Sequence, residues 1–153
     1  MKAKESGYTE PDPRDDLSGM DVARKLTILA RELGQSIEIG DFPVQNLIAE
    51  DLRGLKVDEF LRELSTYDDE MLALYKEAKD EGKTLRYIAR LTEKGEAAVG
   101  LEKVSVDAPF SNISSTDNIV QFVTDRYATN PLVIQGPGAG PEVTAGGVFG
   151  DLL

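Results

Sequence analysis

The chain contains no cysteine and no histidine. The first absence rules out a disulfide framework and is compatible with a cytosolic protein. Together they remove every usual zinc ligand except the carboxylates. They also remove the commonest general base and the commonest low-pKa nucleophile, so any proton transfer falls to Lys, Asp, Glu, Tyr or water. No apolar run is long enough for a transmembrane helix. The first residues, MKAKESGYTEP, lack the apolar core of a signal peptide. Basic residues are scarce beside acids, 17 against 28, for a formal net charge of -11. Such a chain repels the phosphate backbone of a nucleic acid and an anionic membrane surface, so neither is expected as a partner. Internal repeats and low-complexity tracts are absent too.

What is present is the composition of a folded domain: 41% hydrophobic and 29% charged residues over 153 positions. That length fits one domain burying roughly two-thirds of the surface of its unfolded chain. Residues 1–16 are polar and Pro-rich and predict an extended leading segment, because Glu10 and Asp12 each precede a proline. A helix is expected over 18–33, with Ser18 as N-cap, Asp21 at its third position and Gly34 as its stop. Its apolar residues run from Leu17 and Met20 through Ile28 and Leu29 to Leu33 at helical spacing, which predicts a broad buried face. SIEIG fits a short strand or a turn, and FPVQNLIAEDL a further strand. LKVDEFLREL predicts a short helix. TYDDEMLALYKEAKDEGK predicts a longer one, with Met71, Leu74, Tyr75 and Ala78 on one face.

The second half changes period. TLRYIARL and AAVGLEKVSV alternate apolar and polar residues around a turn at Glu93–Gly95, a hairpin signal. NIVQFVTDRY and PLVIQG are two further strand candidates, joined by a loop with Asn130-Pro131. GPGAGPEVTAGGVFGDLL is a glycine-rich turn leading into a helix. Helices first and antiparallel strands later predict an α+β fold. Its expected form is a mixed, largely antiparallel sheet with the 18–33 and 67–81 helices packed on one face. An open face or edge would remain for a partner chain.

Three clusters carry candidate chemistry. Asp21 and Lys25, four apart on a helix, sit about 40° apart around its axis and about 6 Å apart along it. That spacing fits an exposed ion pair. It also fits a carboxylate holding an amine-bearing ligand beside an ammonium that donates a proton, which lysine can do when its pKa is brought towards neutrality. Glu10, Asp12, Asp15 and Asp16 crowd the leading segment. An EF-hand loop starting at Asp12 would need an oxygen ligand at 14, Gly at 17 and Glu at 23. The chain has Arg14, Leu17 and Ala23 there, so calcium is excluded. These acids either stay solvated, pairing with Arg14 and Arg24, or face a charged ligand. The third cluster is GPGAG. Strand, glycine turn and helix is the grammar of a phosphate-binding element. Pro141 occupies the last glycine position of GxGxxG, and no P-loop ending follows. A structural turn and a ligand contact both stay open, since Pro141 suits the first turn of a helix and Gly140 leaves its amide bare.

Four stretches together carry a family resemblance: GYTEPDPRDDLSGMDVARK (7–25), APFSNISSTDNIVQFVTDRY (108–127), NPLVIQGPGAG (130–140) and PEVTAGGVFGDLL (141–153). They resemble homoserine dehydrogenase after its nucleotide-binding domain. The first stretch is the most specific; the resemblance is more diffuse between 35 and 107. It implies reduction of L-aspartate 4-semialdehyde to L-homoserine with NADP or NAD as cofactor, on the route to threonine, methionine and isoleucine. Hydride passes from the nicotinamide to the aldehyde carbon, and the developing alkoxide takes a proton. Lys25 matches the family's proton-donating lysine. Glu10 and Asp21 match the carboxylates that bind the amino-acid substrate, and Asp15 and Asp16 match acids that line or support the site. Gly7 and Gly140 match glycines near the cofactor. No metal ligand is implied in this chain. The chemistry suits the residues: carboxylates satisfy the ammonium of an amino acid, and a lysine offers an alkoxide both charge and proton.

The resemblance further implies a homodimer formed through this region and, in many members, fusion behind an aspartate kinase. It implies a dinucleotide-binding half ahead of residue 1 that holds most of the cofactor. Residues 1–137 are then the substrate-binding and dimerisation domain, and 138–153 a segment that packs on that half. Alone, the chain is expected to bind no nicotinamide dinucleotide productively and to show no turnover. A cytoplasmic location is expected. The rival from another class is a non-catalytic α+β dimerisation or amino-acid-binding domain. An aldehyde dehydrogenase working through a thioester would need a cysteine, and the chain has none.

Overall fold

The computed structural model describes residues 9–114, 117–138 and 140–153. The chain divides into two compact units, Met1–Lys103 and Val104–Leu153. The α+β expectation holds: helices dominate the first stretch and antiparallel strand pairs follow.

The extended segment expected over 1–16 lies outside the described residues up to residue 8, and from Pro13 the described chain is helical instead. Asp12 is extended (φ -105°, ψ 107°), as a residue before proline prefers. Pro13 then begins α1 (Pro13–Leu17), and the Asp12 carboxylate accepts the Arg14 N–H. Proline breaks a helix from inside but suits its first position, where its missing N–H costs nothing. The helix expected from Ser18 begins later, as α2 (Met20–Glu32). Ser18 closes α1, and Asp21 is the second helical residue, not the third. The cause is Gly19, whose φ of 78° separates the two helices with a turn that glycine adopts at little cost. At the far end α2 stops as expected. Gly34 (φ 79°) donates to the Arg31 carbonyl and Gln35 to that of Ala30, the two reverse bonds of a Schellman motif.

The buried face of α2 is narrower than expected. Ala23, Leu26 and Ala30 are buried against Tyr87, Ala89 and Val99. Ile28 is 58% exposed and Leu33 64%. Only the stripe that meets the strands is covered. Those strands, β1 (Lys83–Leu91) and β2 (Ala97–Ser105), pair as the expected hairpin. Gly95 (φ 82°) closes its turn by donating to Thr92. FPVQNLIAEDL supplies a single bridge, Val44 to Val99, instead of a strand. A second apolar cluster gathers Ile48, Leu52 and Phe60. Phe60 comes from the short helix α3 (Val57–Glu63) and is fully buried. The longer helix α4 (Asp68–Asp80) lies along β1, but its face is thinly covered. Ala78 is buried, whereas Met71 and Tyr75 are exposed.

The second unit holds β3 (Asp117–Phe122) and β4 (Leu132–Pro137), antiparallel in the register Val120 opposite Ile134. The helix α5 (Pro141–Gly150) follows Gly140. Among the described residues the strands form two separate two-stranded sheets, where one sheet was expected. No helix of the described residues is long and apolar enough to cross a membrane.

Candidate functional site

The predicted site residues of the first unit sit on the corner between α1 and α2. The corner is built from buried parts. Pro13 and Gly19 are buried, while Glu10, Asp15, Asp16, Asp21 and Lys25 are all exposed. Four carboxylates and one ammonium therefore face solvent from a fixed backbone.

Gly19 fixes the start of α2. A Cβ at this position would overlap the Tyr87 hydroxyl and lie within 2.9 Å of its Cζ. The Tyr87 hydroxyl donates to the Gln45 carbonyl at 2.6 Å. Gln45 in turn bonds the hairpin twice: its N–H donates to the Val99 carbonyl and its Oε1 accepts from Leu101 N–H at 2.7 Å. Burial pushes the Tyr87 phenol up in pKa, so it stays a donor. The end of α1 is tied down as well, by Leu47 N–H donating to the Leu17 carbonyl at 3.1 Å.

On this base the structure joins the predicted residues in two pairs. Lys25 Nζ meets Asp21 Oδ2 at 2.8 Å, with side chains 57% and 63% exposed. Glu10 N–H donates to Asp16 Oδ2 at 3.0 Å. The first pair is the spacing expected on a helix. It is weak by its exposure, worth about 0.2–1 kcal/mol, so a ligand ammonium can share Asp21 without a large loss. The second pair gives Asp16 a backbone role. Asp15 accepts from the Ser18 hydroxyl through its carbonyl, leaving its carboxylate outward on the same corner.

Two glycines complete the predicted set. Gly7 lies outside the described residues. Gly140 belongs to the second unit, with φ 128° and open space where a side chain would stand. It precedes α5, whose first residue is proline. A backbone amide free of side-chain cover at a helix start suits an anionic group. Gly138 differs, because a Cβ there would collide with the Asn118 amide. Among the described residues no cluster of three or more His, Cys, Asp or Glu is placed to hold a metal.

Arg14 pairs with Asp12 as expected, but its reach to the Arg53 and Leu55 carbonyls and the parts played by Gly19, Gln45 and Tyr87 are not visible in the sequence. For Arg14 a local signal existed: Asp-Pro-Arg puts an N-cap carboxylate two residues from a guanidinium. For Tyr87 and Gln45 no local signal existed, since their partners lie far along the chain. A depression of about 390 Å³ at the other end of α2, between Gln35 and Gly95, contains none of the predicted residues.

The family model described as homoserine dehydrogenase matches residues 1–153. The homoserine dehydrogenase of Paracoccidioides brasiliensis (strain Pb18) is 50% identical over 155 residues, which is 99% of this chain and 42% of that protein. The chloroplastic bifunctional aspartokinase/homoserine dehydrogenase 2 of Zea mays is 47% identical over 154 residues, 99% of this chain and 17% of that protein. Among solved structures, a Candida auris protein of unknown function superposes with a TM-score of 0.92 at 45% identity, covering 98% of this chain and 42% of that one. The chain thus spans less than half the length of each of these relatives.

Proposed function

The chain belongs to the homoserine dehydrogenase family, and from that premise we propose that it is the substrate-binding half of an enzyme reducing L-aspartate 4-semialdehyde to L-homoserine. The observation that carries this reading is the α1–α2 corner: Asp21 and Lys25 pair in the open on one helix, beside a buried Gly19, and Glu10 is tied to Asp16 at the start of the other. Glu10 and Asp21 hold the substrate ammonium with charge-assisted hydrogen bonds. Lys25 lies beside the reacting oxygen, where it offsets the developing alkoxide charge and delivers a proton from Nζ. Asp15 and Asp16 line or support this corner.

NADP or NAD, when bound, supplies the hydride. Of this chain's residues, Gly140 has open space where a side chain would stand, just before α5, which suits the approach of a cofactor phosphate, and Gly7 is the second glycine that matches the family's cofactor glycines. Residues 138–153 dock on the dinucleotide-binding half. The exposure of Val143, Val148, Phe149, Leu152 and Leu153 supports that placement. A homodimer formed through the strands is supported by Leu132 and Ile134 of β4, 40% and 57% exposed. Fusion to an aspartate kinase, as in the maize relative, is a variant of the same architecture. The compartment we assign is the cytoplasm, with the chloroplast as the counterpart for a plant source.

Calorimetric titration of the chain with homoserine tests the reading. Binding that is lost in Asp21→Ala and in Glu10→Ala is expected. Failure of the unsubstituted chain to bind would favour the non-catalytic interface domain instead. The 153 residues alone are expected to give no NADPH-dependent turnover of aspartate semialdehyde, and steady turnover would refute that part.

A further inference from the structure

We infer that Arg14 is a positioning residue for Glu10, acting from outside the substrate site. The inference rests on the reading of Glu10 as a substrate carboxylate.

The Arg14 guanidinium is engaged on three sides. Nε and Nη2 donate to both carboxylate oxygens of Asp12 at 2.6 to 3.0 Å. Nη1 donates to the carbonyls of Arg53 and Leu55 at 2.9 and 2.6 Å. Cζ lies 5.5 Å over the ring of Phe60, the buried centre of the second apolar cluster. Only 19% of the Arg14 side chain is exposed. The hydrogen bond with Asp12 raises its pKa above the ordinary arginine value, so this cation is permanent. The result is a strut that ties Asp12 to a wall forty residues away in sequence.

Glu10 stands two residues before Asp12. Its own N–H is taken by Asp16 at 3.0 Å, while its side chain is exposed. The backbone carrying the Glu10 carboxylate is therefore held directly by Asp16 and, through Asp12, by Arg14. Such a brace removes conformational freedom before a ligand arrives, which is what converts a surface acid into a placed one. Arginine is required for it. A lysine is a single point charge, so it cannot hold a carboxylate bidentately and also reach two carbonyls.

The test is a double-substitution cycle in the full-length enzyme, with KM for aspartate semialdehyde and kcat measured separately. Arg14→Lys is expected to raise KM on the order of tenfold, because misplacing one binding group weakens the bound geometry. Its effect on kcat is smaller, since Lys25 is on another element. In a Glu10→Gln background the same substitution is expected to add less than about twofold, the mark of two residues acting as one unit. In an Asp21→Asn background the full penalty persists. Asp12→Asn keeps the helix cap and the side-chain volume, loses the bidentate partner, and gives the same pattern if Arg14→Lys does not fold. A full penalty persisting in the Glu10→Gln background, or an unchanged KM in the folded variant, overturns the inference. If Glu10→Gln alone leaves KM unchanged, the reading of Glu10 fails and the inference falls with it.

Discussion

Gly19 caps α2 and Lys25 stands in its second turn, yet they would fail in different ways. In the proposed reaction Lys25 acts by charge and by proton, and Lys25→Arg separates the two: it keeps the cation but not a proton that can leave. In the full-length enzyme kcat is expected to fall about 10²- to 10⁴-fold in Lys25→Arg, the usual weight of positioned acid catalysis, with KM changing little. A variant retaining kcat would show that charge alone suffices. Gly19 acts by space and by backbone. Gly19→Ala would place a Cβ on the Tyr87 hydroxyl and force a non-glycine residue to φ 78°. Left-handed strain and overpacking together cost about 2–4 kcal/mol, measurable as a lower urea midpoint at constant slope. The sequence displayed the first of these residues and hid the second. Asp21 and Lys25 are four apart on one helix, so their pairing could be read locally. The need for glycine at 19 comes from its φ of 78° and from Tyr87, whose approach no local pattern announces.

At the scale of elements the same division recurs. The β1–β2 hairpin was legible because alternation and a glycine turn are local. The start of α1 is less so, although Asp12 and Pro13 are a start signal, because a proline extends the residue before it whether or not a helix follows. Least legible was the tie between α4 and β2. Lys103 reaches Glu77 at 2.7 Å and Glu81 at 2.6 Å, and Lys83 reaches Glu81 at 2.8 Å. Lys103 first, and Lys83 second, hold the Glu81 carboxyl down at about 2, from an ordinary value of 4.5. A depressed carboxyl pKa contributes stability that is fully present above the unfolded value and is lost as pH falls through the folded one. The stabilising window is thus above pH 4.5, and the loss runs from there down to about 2. Thermal melts across that range are expected to fall less steeply in Lys103→Met than in the native chain. The group is solvent-accessible, so added salt should shrink the difference. Parallel acid profiles at low salt would mean that the pair does not contribute to acid stability.

For the whole molecule the decisive fact is where the apolar burial lies. Both clusters of buried residues fall within Met1–Lys103. Beyond Lys103, Val104 is the only buried apolar side chain among the described residues. The second unit keeps a six-pair ladder between β3 and β4, but two strands without a covered face are marginal in water. Ile134, Val148 and Phe149 stand 57%, 60% and 61% exposed there. Stability in this unit is therefore expected to come from outside it, and in the proposed enzyme the sources are a second copy and the dinucleotide-binding half. Native-state hydrogen exchange gives the measurement. At concentrations where sedimentation shows a monomer, amides of β3 and β4 are expected to exchange at least about a hundredfold faster than those of β1 and β2, through a local opening that spares the α2 core. Raising the concentration until the chain associates should slow β3 and β4 selectively, because association adds its binding free energy only to the surface it covers. Equal protection of the two hairpins in the monomer would show that the second unit is stable on its own, and the proposed dependence on a partner would then be wrong.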